Sequence, residues 1–433
     1  MQTYDLIQKT RRMEPLSPDE ITFLVEGFTK GEIPDYMMSA WLMAVCCQGL
    51  TPEETAVLTA AMRDSGDCLD LSPVGAFTTD KHSTGGIGDK TTLLVAPIVA
   101  ACGGFVPKMS GRGLGFTGGT IDKLESIPGF STSLPIERFL EITKTVGCCV
   151  IAQSGDLTPA DKKMYALRNL TATVDSIPLI CASIMSKKLA LGADGILLDV
   201  KYGSGAFMKT PEDAEILARL MISAGKAAGK SCRALITDMN APLGTAVGNA
   251  LEVTEVIRML RGELRNSLTE LATALAAQML VMADMGNIVE CRKKAEDAVS
   301  SGAALEKFAA MIEAQGGDAH VCETIGLLPQ AACSLTVKAA RRGFITAIQS
   351  EEVGLACLDL GAGRTAAQPE IDPGAGVVLH RTVGDFISAG DPLLTVYGKN
   401  QTVCETAAVR LQNAVELKDA PAAEHPMIYK IMD

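Results

Sequence analysis

Along the first 65 residues the apolar positions recur at helical spacing. Ile21, Leu24 and Phe28 fall on one side of a 3.6-residue period. They follow Ser17-Pro18-Asp19-Glu20, which supplies a cap residue, a proline suited to the first helical position and two acids for the first turn. Pro34 opens another such segment and Thr51-Pro52-Glu53-Glu54 a third, so residues 1–66 are expected to form an all-α unit. From about residue 70 the pattern changes. Glycines cluster at 85–88, 103–104, 111–119 and 203–205, with short apolar runs between them, such as Cys149-Val150-Ile151-Ala152 and Gly195-Ile196-Leu197-Leu198-Asp199-Val200. Runs that do not alternate suit strands buried on both faces. Strand signals alternating with helical ones predict an α/β region with a mainly parallel central sheet.

The stretch 91–107 is uncharged, but its 17 residues are broken by Pro97 and by Gly103-Gly104. A spanning helix needs about 20 apolar residues, so this reads as a buried core helix. Residues 212–233 and 267–313 carry charges at helical spacing among Ala, Leu and Met and predict long helices or helical hairpins. Past Leu328-Pro329-Gln330 the pattern alternates, in Ser334-Leu335-Thr336-Val337 and Leu393-Leu394-Thr395-Val396-Tyr397. A small C-terminal α+β module is expected over about 335–433.

Composition narrows the class. At 433 residues the chain has room for two or three domains and a core that needs no staples. A net charge of −12 argues against a general nucleic-acid binder, although a few lysines in one pocket still set a local positive potential. The 13 cysteines form no CxxC pair, and the four histidines form no HxH or HExxH, so free thiols in a reducing compartment are expected rather than zinc. The N-terminus has no apolar core of a secretory signal, and a cytoplasmic location is expected.

Three stretches are suited to chemistry. In Asp80-Lys81-His82-Ser83-Thr84-Gly85-Gly86-Ile87-Gly88-Asp89 a glycine-rich loop leads into the 91–102 helix. Backbone N–H groups and the helix dipole favour an oxyanion there, with Lys81, Ser83 and Thr92 as added donors. It is not a Walker loop, because Lys90 stands where that motif needs glycine. The second stretch, Lys108-Met109-Ser110-Gly111-Arg112-Gly113-Leu114-Gly115-Phe116-Thr117-Gly118-Gly119-Thr120, contains a formal GxGxxG without the acid expected about 20 residues later. Lys108, Ser110 and Thr120 suggest a second wall around the same anion. In the third stretch, Ser183 and Lys187 are four apart and share a helix face. With Arg168 they suit the carbonyls and ring N–H of a planar amide. The plainer alternatives, a tight structural loop, a glycine-rich sheet edge and a solvated helix face, stay open on spacing alone.

Together these stretches closely resemble the pyrimidine-nucleoside phosphorylase and thymidine phosphorylase family. The runs DKHSTGGIGD (80–89), KMSGRGLG (108–115), TGGTIDKLESIPGF (117–130), TPADKKMYALRNLTATVDSIPL (158–179) and DVKYGSGAFMK (199–209) carry the resemblance. Such enzymes carry out reversible phosphorolysis of pyrimidine nucleosides to free base and pentose 1-phosphate. The resemblance implies an α domain of residues 1–66 and about 158–190, and an α/β domain of about 70–155 and 191–330. It also implies a homodimer through the α domains, no organic cofactor, no nucleic acid and no membrane. Lys81, Ser83, Thr92, Lys108, Met109, Ser110 and Thr120 match the phosphate site. Arg168, Ser183 and Lys187 match the base site, and His82 matches the residue beside the base O2, as general acid or hydrogen-bond donor.

Three positions depart from the family pattern: Phe116 and Tyr202, both expected near the cleft, and Lys90. Residue 90 belongs to a potassium site in the family, with Gly88, Leu243, Ala246 and Glu255 as the other matching residues. Lys90 is expected to occupy that site itself, paired with Glu255 and backbone carbonyls; the alternative is a solvated Lys90 and a retained ion. Within the family the alternative is a thymidine phosphorylase restricted to deoxynucleosides. Outside it stand a phosphoribosyltransferase, a catalytically silent binding paralogue and, more distantly, a nicotinamide dehydrogenase.

Overall fold

The computed structural model describes residues 1–113, 118–153, 157–364, 370–423 and 425–433. Four helices open the chain: α1 (Thr3–Arg11), α2 (Pro18–Lys30), α3 (Asp35–Gln48) and α4 (Pro52–Arg63). The punctuation in the sequence works as expected. Ser17 with Glu20 and Thr51 with Glu54 each form a reciprocal capping box. Then come β1 (Thr79–Ser83), α5 (Thr91–Ala101), β2 (Val106–Ser110), α6 (Thr120–Glu125), α7 (Ile136–Val146), β3 (Cys148–Ala152), α8 (Pro159–Leu170) and α9 (Ile177–Leu191). The central region continues with β4 (Gly195–Tyr202), α10 (Pro211–Ala227), β5 (Ser231–Asp238), β6 (Ala246–Val247), α11 (Asn249–Leu260), α12 (Ser267–Met282), α13 (Ile288–Ser300) and α14 (Ala303–Ala314). The last elements are β7 (Cys333–Lys338), β8 (Gly343–Ile348), α15 (Ser350–Leu360), β9 (Gly376–Leu379), β10 (Phe386–Ile387), β11 (Pro392–Gly398), α16 (Gln401–Ala414), β12 (Val415–Lys418) and β13 (Ile428–Met432).

The expected fold class is present: an all-α domain, an α/β domain with a mainly parallel sheet and a small C-terminal α+β domain. The helices α1–α4 bury Trp41, Phe28 and Leu24 against Ala160 and Met164 of α8 and Leu179 and Ala182 of α9. In the central sheet β1, β4 and β5 are parallel. A parallel bridge from Thr78 to Phe105 brings the parallel pair β2–β3 alongside. Every side chain of β4 is buried, as a strand covered on both faces requires. One face packs on α5 and α11–α14, the other on α9 and α10.

The chain leaves and re-enters the central domain in ways the pattern did not indicate. Ala246 and Val247 pair with Val378 and Val377, so a two-residue strand from the central region extends the C-terminal sheet. At the other end, β13 runs antiparallel to β5 and covers the edge of the central sheet. The expected 212–233 helix stops at Ala227, and the residues after Gly229 start β5 instead. Among the described residues no helix is long and apolar enough to cross a membrane.

Candidate active site

Strand alternation divides the Asp80–Ser83 run between two faces. Asp80 and His82 stand opposite Ile196 and Leu198 of β4, which pack toward α9 and α10. Lys81 and Ser83 stand opposite Leu197 and Asp199 and belong to the other face. One five-residue strand thus supplies both sides of a site.

On the second face lies a buried charge network. Lys81 Nζ is 3.1 Å from Asp199 Oδ2 and donates to Thr91 Oγ1 at the start of α5. Asp199 is shared: Lys201 Nζ lies 2.9 and 2.8 Å from its two oxygens, and Thr237 donates to Oδ1 at 2.6 Å. Asp199 and Lys201 are two apart on β4, so alternation puts them on the same face. Asp89 Oδ1 accepts the Thr91 N–H at 3.0 Å and its hydroxyl at 2.6 Å, which sets the entry to α5. Burial opposes ionisation of Asp89, but Lys81, Lys201 and the Ser83 and Thr91 hydroxyls outweigh it and hold its pKa well below the usual range. Ser83 Oγ accepts the Gly85 N–H at 3.2 Å, and Gly85 and Gly88 have φ of 94° and 75°, which favour glycine. Thr92 is the second residue of α5, at its N-terminal end.

Lys108, on β2, donates to the Lys81 carbonyl at 2.6 Å and lies 3.5 Å from Asp80 Oδ1. Burial and the nearby Lys188 and Lys81 outweigh Asp80 and push its pKa down to about 7. The Met109 side chain is buried among Phe139, Ile142 and Ile151, so only its backbone is free to serve the site, and its carbonyl accepts from Lys188 at 3.0 Å. Ser110 ends β2 and Thr120 opens α6. Asp122 Oδ2 accepts the Gly113 N–H at 2.6 Å, and its Oδ1 is 2.6 Å from Arg364. Phe116 and the central part of the GxGxxG lie outside the described residues.

The helical side carries the other set. Arg168, near the end of α8, is anchored by three carbonyls: Thr173 at 3.0 Å, Leu179 at 3.0 Å and Val174 at 2.7 Å. On α9, Lys187 donates to Ser183 Oγ at 3.0 Å and pairs with Asp161 of α8, which fixes one helical turn of the face. Burial lowers the pKa of Lys187 although Asp161 opposes the shift. The next residue, Lys188, turns the other way and bonds Asp80 Oδ2 at 2.8 Å. It is a buried ion pair between the helical bundle and β1. His82 stands between the two sets. Burial first, then Lys188, Lys108, Lys187 and Lys81, hold its pKa well below the ordinary value, so the imidazole is neutral at pH 7.

At residue 90 the ammonium is fully buried. Lys90 Nζ donates to the carbonyls of Leu243 at 2.8 Å and Ala246 at 2.9 Å, and to Glu255 Oε2 at 2.7 Å. Burial disfavours the ionised form of Glu255, but Lys90 and the amides of Ala246 and Thr245 keep its pKa below the usual value. A potassium ion and this Nζ cannot share one point, so the residues present do not fit a resident ion. Among the described residues no group of three or more His, Cys, Asp or Glu is arranged for a metal.

Asp80, Asp89, Asp161, Lys188, Asp199 and Lys201 were not among the expected site residues. The signal for the last two was an Asp and a Lys two apart inside an otherwise apolar strand, where neither belongs unless paired. Tyr202, expected near the cleft, is buried and meets Tyr429 of β13 edge to face, with ring centroids 5.8 Å apart. Its visible work is to hold the tail strand.

Comparison with known proteins covers most of the chain. Residues 4–66 match the helical bundle domain of the glycosyl transferase family, and residues 76–305 match its a/b domain. Residues 344–418 match the pyrimidine nucleoside phosphorylase C-terminal domain. The chain is 48% identical over 433 residues, 100% of both chains, to a pyrimidine-nucleoside phosphorylase of Staphylococcus haemolyticus. It is 47% identical over 432 residues, 99% of this chain and 100% of the relative, to one from Staphylococcus aureus. Its fold is similar to that of anthranilate phosphoribosyltransferase from Thermus thermophilus, with a TM-score of 0.57 at 20% identity over 71% of this chain and 98% of that one.

Proposed function

The chain belongs to the glycosyl transferase family in its pyrimidine nucleoside phosphorylase branch, and from that premise we propose that it catalyses the reversible phosphorolysis of pyrimidine nucleosides. The observation that carries the reading is that β1 turns Lys81 and Ser83 to one face, beside Asp199, and His82 to the other, where Asp80 is tied through Lys188 to the helix that carries Ser183 and Lys187. One set suits phosphate: Lys81, Ser83, Thr92, Lys108, Ser110, Thr120 and the backbone at Met109. The other suits a pyrimidine: Arg168, Ser183 and Lys187.

In the forward direction a phosphate oxygen bonds to C1′ while the bond from C1′ to the base nitrogen breaks. The electron pair leaves with the base and spreads onto its carbonyl oxygens. Phosphate is already a nucleophile, so it needs a preorganised cradle rather than a base. Arg168 and Lys187 stabilise the charge gathering on the departing pyrimidine. His82, whose pKa burial and the neighbouring lysines hold low, suits an N–H donor to the base O2. Uridine, thymidine and 2′-deoxyuridine are the proposed substrates. Exposed Tyr4 on α1, Met13 in the turn after it, and Tyr36 and Met43 on α3 support a homodimer through the α domain, which light scattering tests. Thirteen free cysteines support a cytoplasmic location.

The test is release of free base from the three nucleosides with and without phosphate. Phosphate-dependent release from uridine and thymidine is the expected result. Release from deoxynucleosides alone moves the assignment to thymidine phosphorylase, and no release from any of them overturns the reading.

A further inference from the structure

We propose that Lys90 is a covalently tethered monovalent cation that locks the phosphate loop in place, so that this protein works without a soluble potassium ion. An ammonium is a compact point charge with three donors. Here it has three acceptors at bonding distance, two carbonyls and one carboxylate, and no exposed surface. A bare cation of the same charge would take that point only with additional oxygen ligands. The lysine stem reaches it from within the chain.

What the ammonium joins gives it a role. Lys90 is the residue before α5, directly beside Asp89 and Thr91 and two residues before Thr92. Its acceptors lie on the 243–246 segment and on α11. The same two pieces of chain are in backbone contact, because the Leu243 N–H donates to the Ile87 carbonyl at 2.9 Å. They are also close-packed: a Cβ on Gly88 would lie 2.7 Å from the Leu243 carbonyl oxygen. The segment continues into β6, which pairs with β9 of the C-terminal domain. Lys90 therefore clamps the glycine-rich loop that follows Lys81 and Ser83 of β1 to the segment from which the C-terminal sheet is extended. It touches no reacting atom and is a positioning residue.

The inference rests on the proposed activity only for its kinetic arm. Thermal melting of the substrate-free full-length protein is measured in choline, sodium, potassium and ammonium chloride at equal ionic strength, beside phosphate-dependent base release. Wild-type protein is expected to give superimposable midpoints and rates in all four salts. Lys90→Thr opens the point and removes the tether. Its midpoint falls in choline and rises again with potassium or ammonium concentration, as binding to the folded state requires. Its kcat/KM for phosphate falls by about 10- to 100-fold and recovers with the same ions. Lys90→Met fills the space without charge and is expected to show the loss without the rescue, which a merely structural deletion would not separate. A wild-type midpoint that rises with potassium and not with sodium overturns the proposal. So does a folded Lys90→Thr protein whose midpoint ignores potassium and ammonium. Should that variant fail to fold, the wild-type salt series and Lys90→Met decide between the same two outcomes. If base release is absent while the melting pattern holds, the phosphorylase reading fails and the tethered cation stands.

Discussion

Replacing Lys201 by methionine removes one of the two cations that share Asp199. Both partners are fully buried, and Nζ sits 2.9 and 2.8 Å from the two carboxylate oxygens. At about 3 Å and an effective dielectric of about 20, the gross attraction is roughly 5–6 kcal/mol. The net cost of breaking such a pair from one side is about 3–5 kcal/mol, because the remaining charge is buried without compensation. For a domain of this size that is roughly 6–20 °C in Tm. The second consequence is local. With Lys201 gone, the charge of Asp199 falls on Lys81 at 3.1 Å and cancels its pull on an incoming anion. Loss of one charged contact to phosphate is about 1.5–3 kcal/mol, or roughly 10- to 100-fold in KM for phosphate. The assay is a melting curve plus initial rates with phosphate and nucleoside varied separately. Asp199→Asn in the Lys201→Met background removes the stranded anion, so the double variant is expected to be more stable than the sum of the single losses by about 1–3 kcal/mol. A Lys201→Met protein with wild-type Tm and phosphate KM, or one in which both KM values rise equally, refutes this account of the network.

Three further outcomes are expected. His82→Ala lowers kcat by about 10²–10³-fold, the cost of one lost donor to developing charge, and wild-type kcat does not decline on the alkaline side of pH 6.5; such a decline would require the imidazolium. Because the folded pKa of His82 lies below its unfolded value of about 6.5, the unfolded chain binds the extra proton as pH falls. That part of stability is complete above about pH 6.5 and is lost below it, by up to about 1.4 kcal/mol per pH unit, and His82→Asn removes that slope in Tm between pH 7 and pH 5. Lys108, with its pKa near 7, is largely neutral at pH 8, so phosphate binding there is accompanied by proton uptake; calorimetry in buffers of different ionisation enthalpy detects it, and a Lys108→Met protein that takes up as many protons rules it out.

Much of this site was legible because the chemistry lies in short contiguous runs. Asp80-Lys81-His82-Ser83 needs only the two-residue period of a strand to separate His82 from Lys81, and Ser183 and Lys187 need only one helical turn to meet. The less legible part consists of pairings across the fold. Nothing local says that Lys188, 108 residues from Asp80, will neutralise it, or that Ala246 and Val247 will leave their domain to pair with Val378 and Val377. The tail was illegible for a similar reason: five residues of β13 acquire their meaning only from the open edge of β5 and from Tyr202.

The buried charges show why a local reading stops where it does. Lys81, Lys108 and Lys187 were expected to meet a ligand directly, as isolated cations facing a pocket. Each instead has a protein partner: Asp199, Asp80 and Asp161 in turn. Three lysines buried without anions would strongly disfavour the folded state, and three fully neutralised lysines would attract no phosphate. The structure lies between these limits by adding Lys201 to the Asp199 pair and Lys188 to the Asp80 pair, so that two carboxylates serve four ammonium groups. Asp89, held ionised and bonded to Thr91, adds a third carboxylate, so the buried cluster keeps a small positive excess that grows as Lys108 takes up its proton. That excess suits an anion, and it arises from residues whose sequence positions, 80, 81, 89, 108, 188, 199 and 201, converge only through the parallel order of β2, β1 and β4 and the packing of α9 against them.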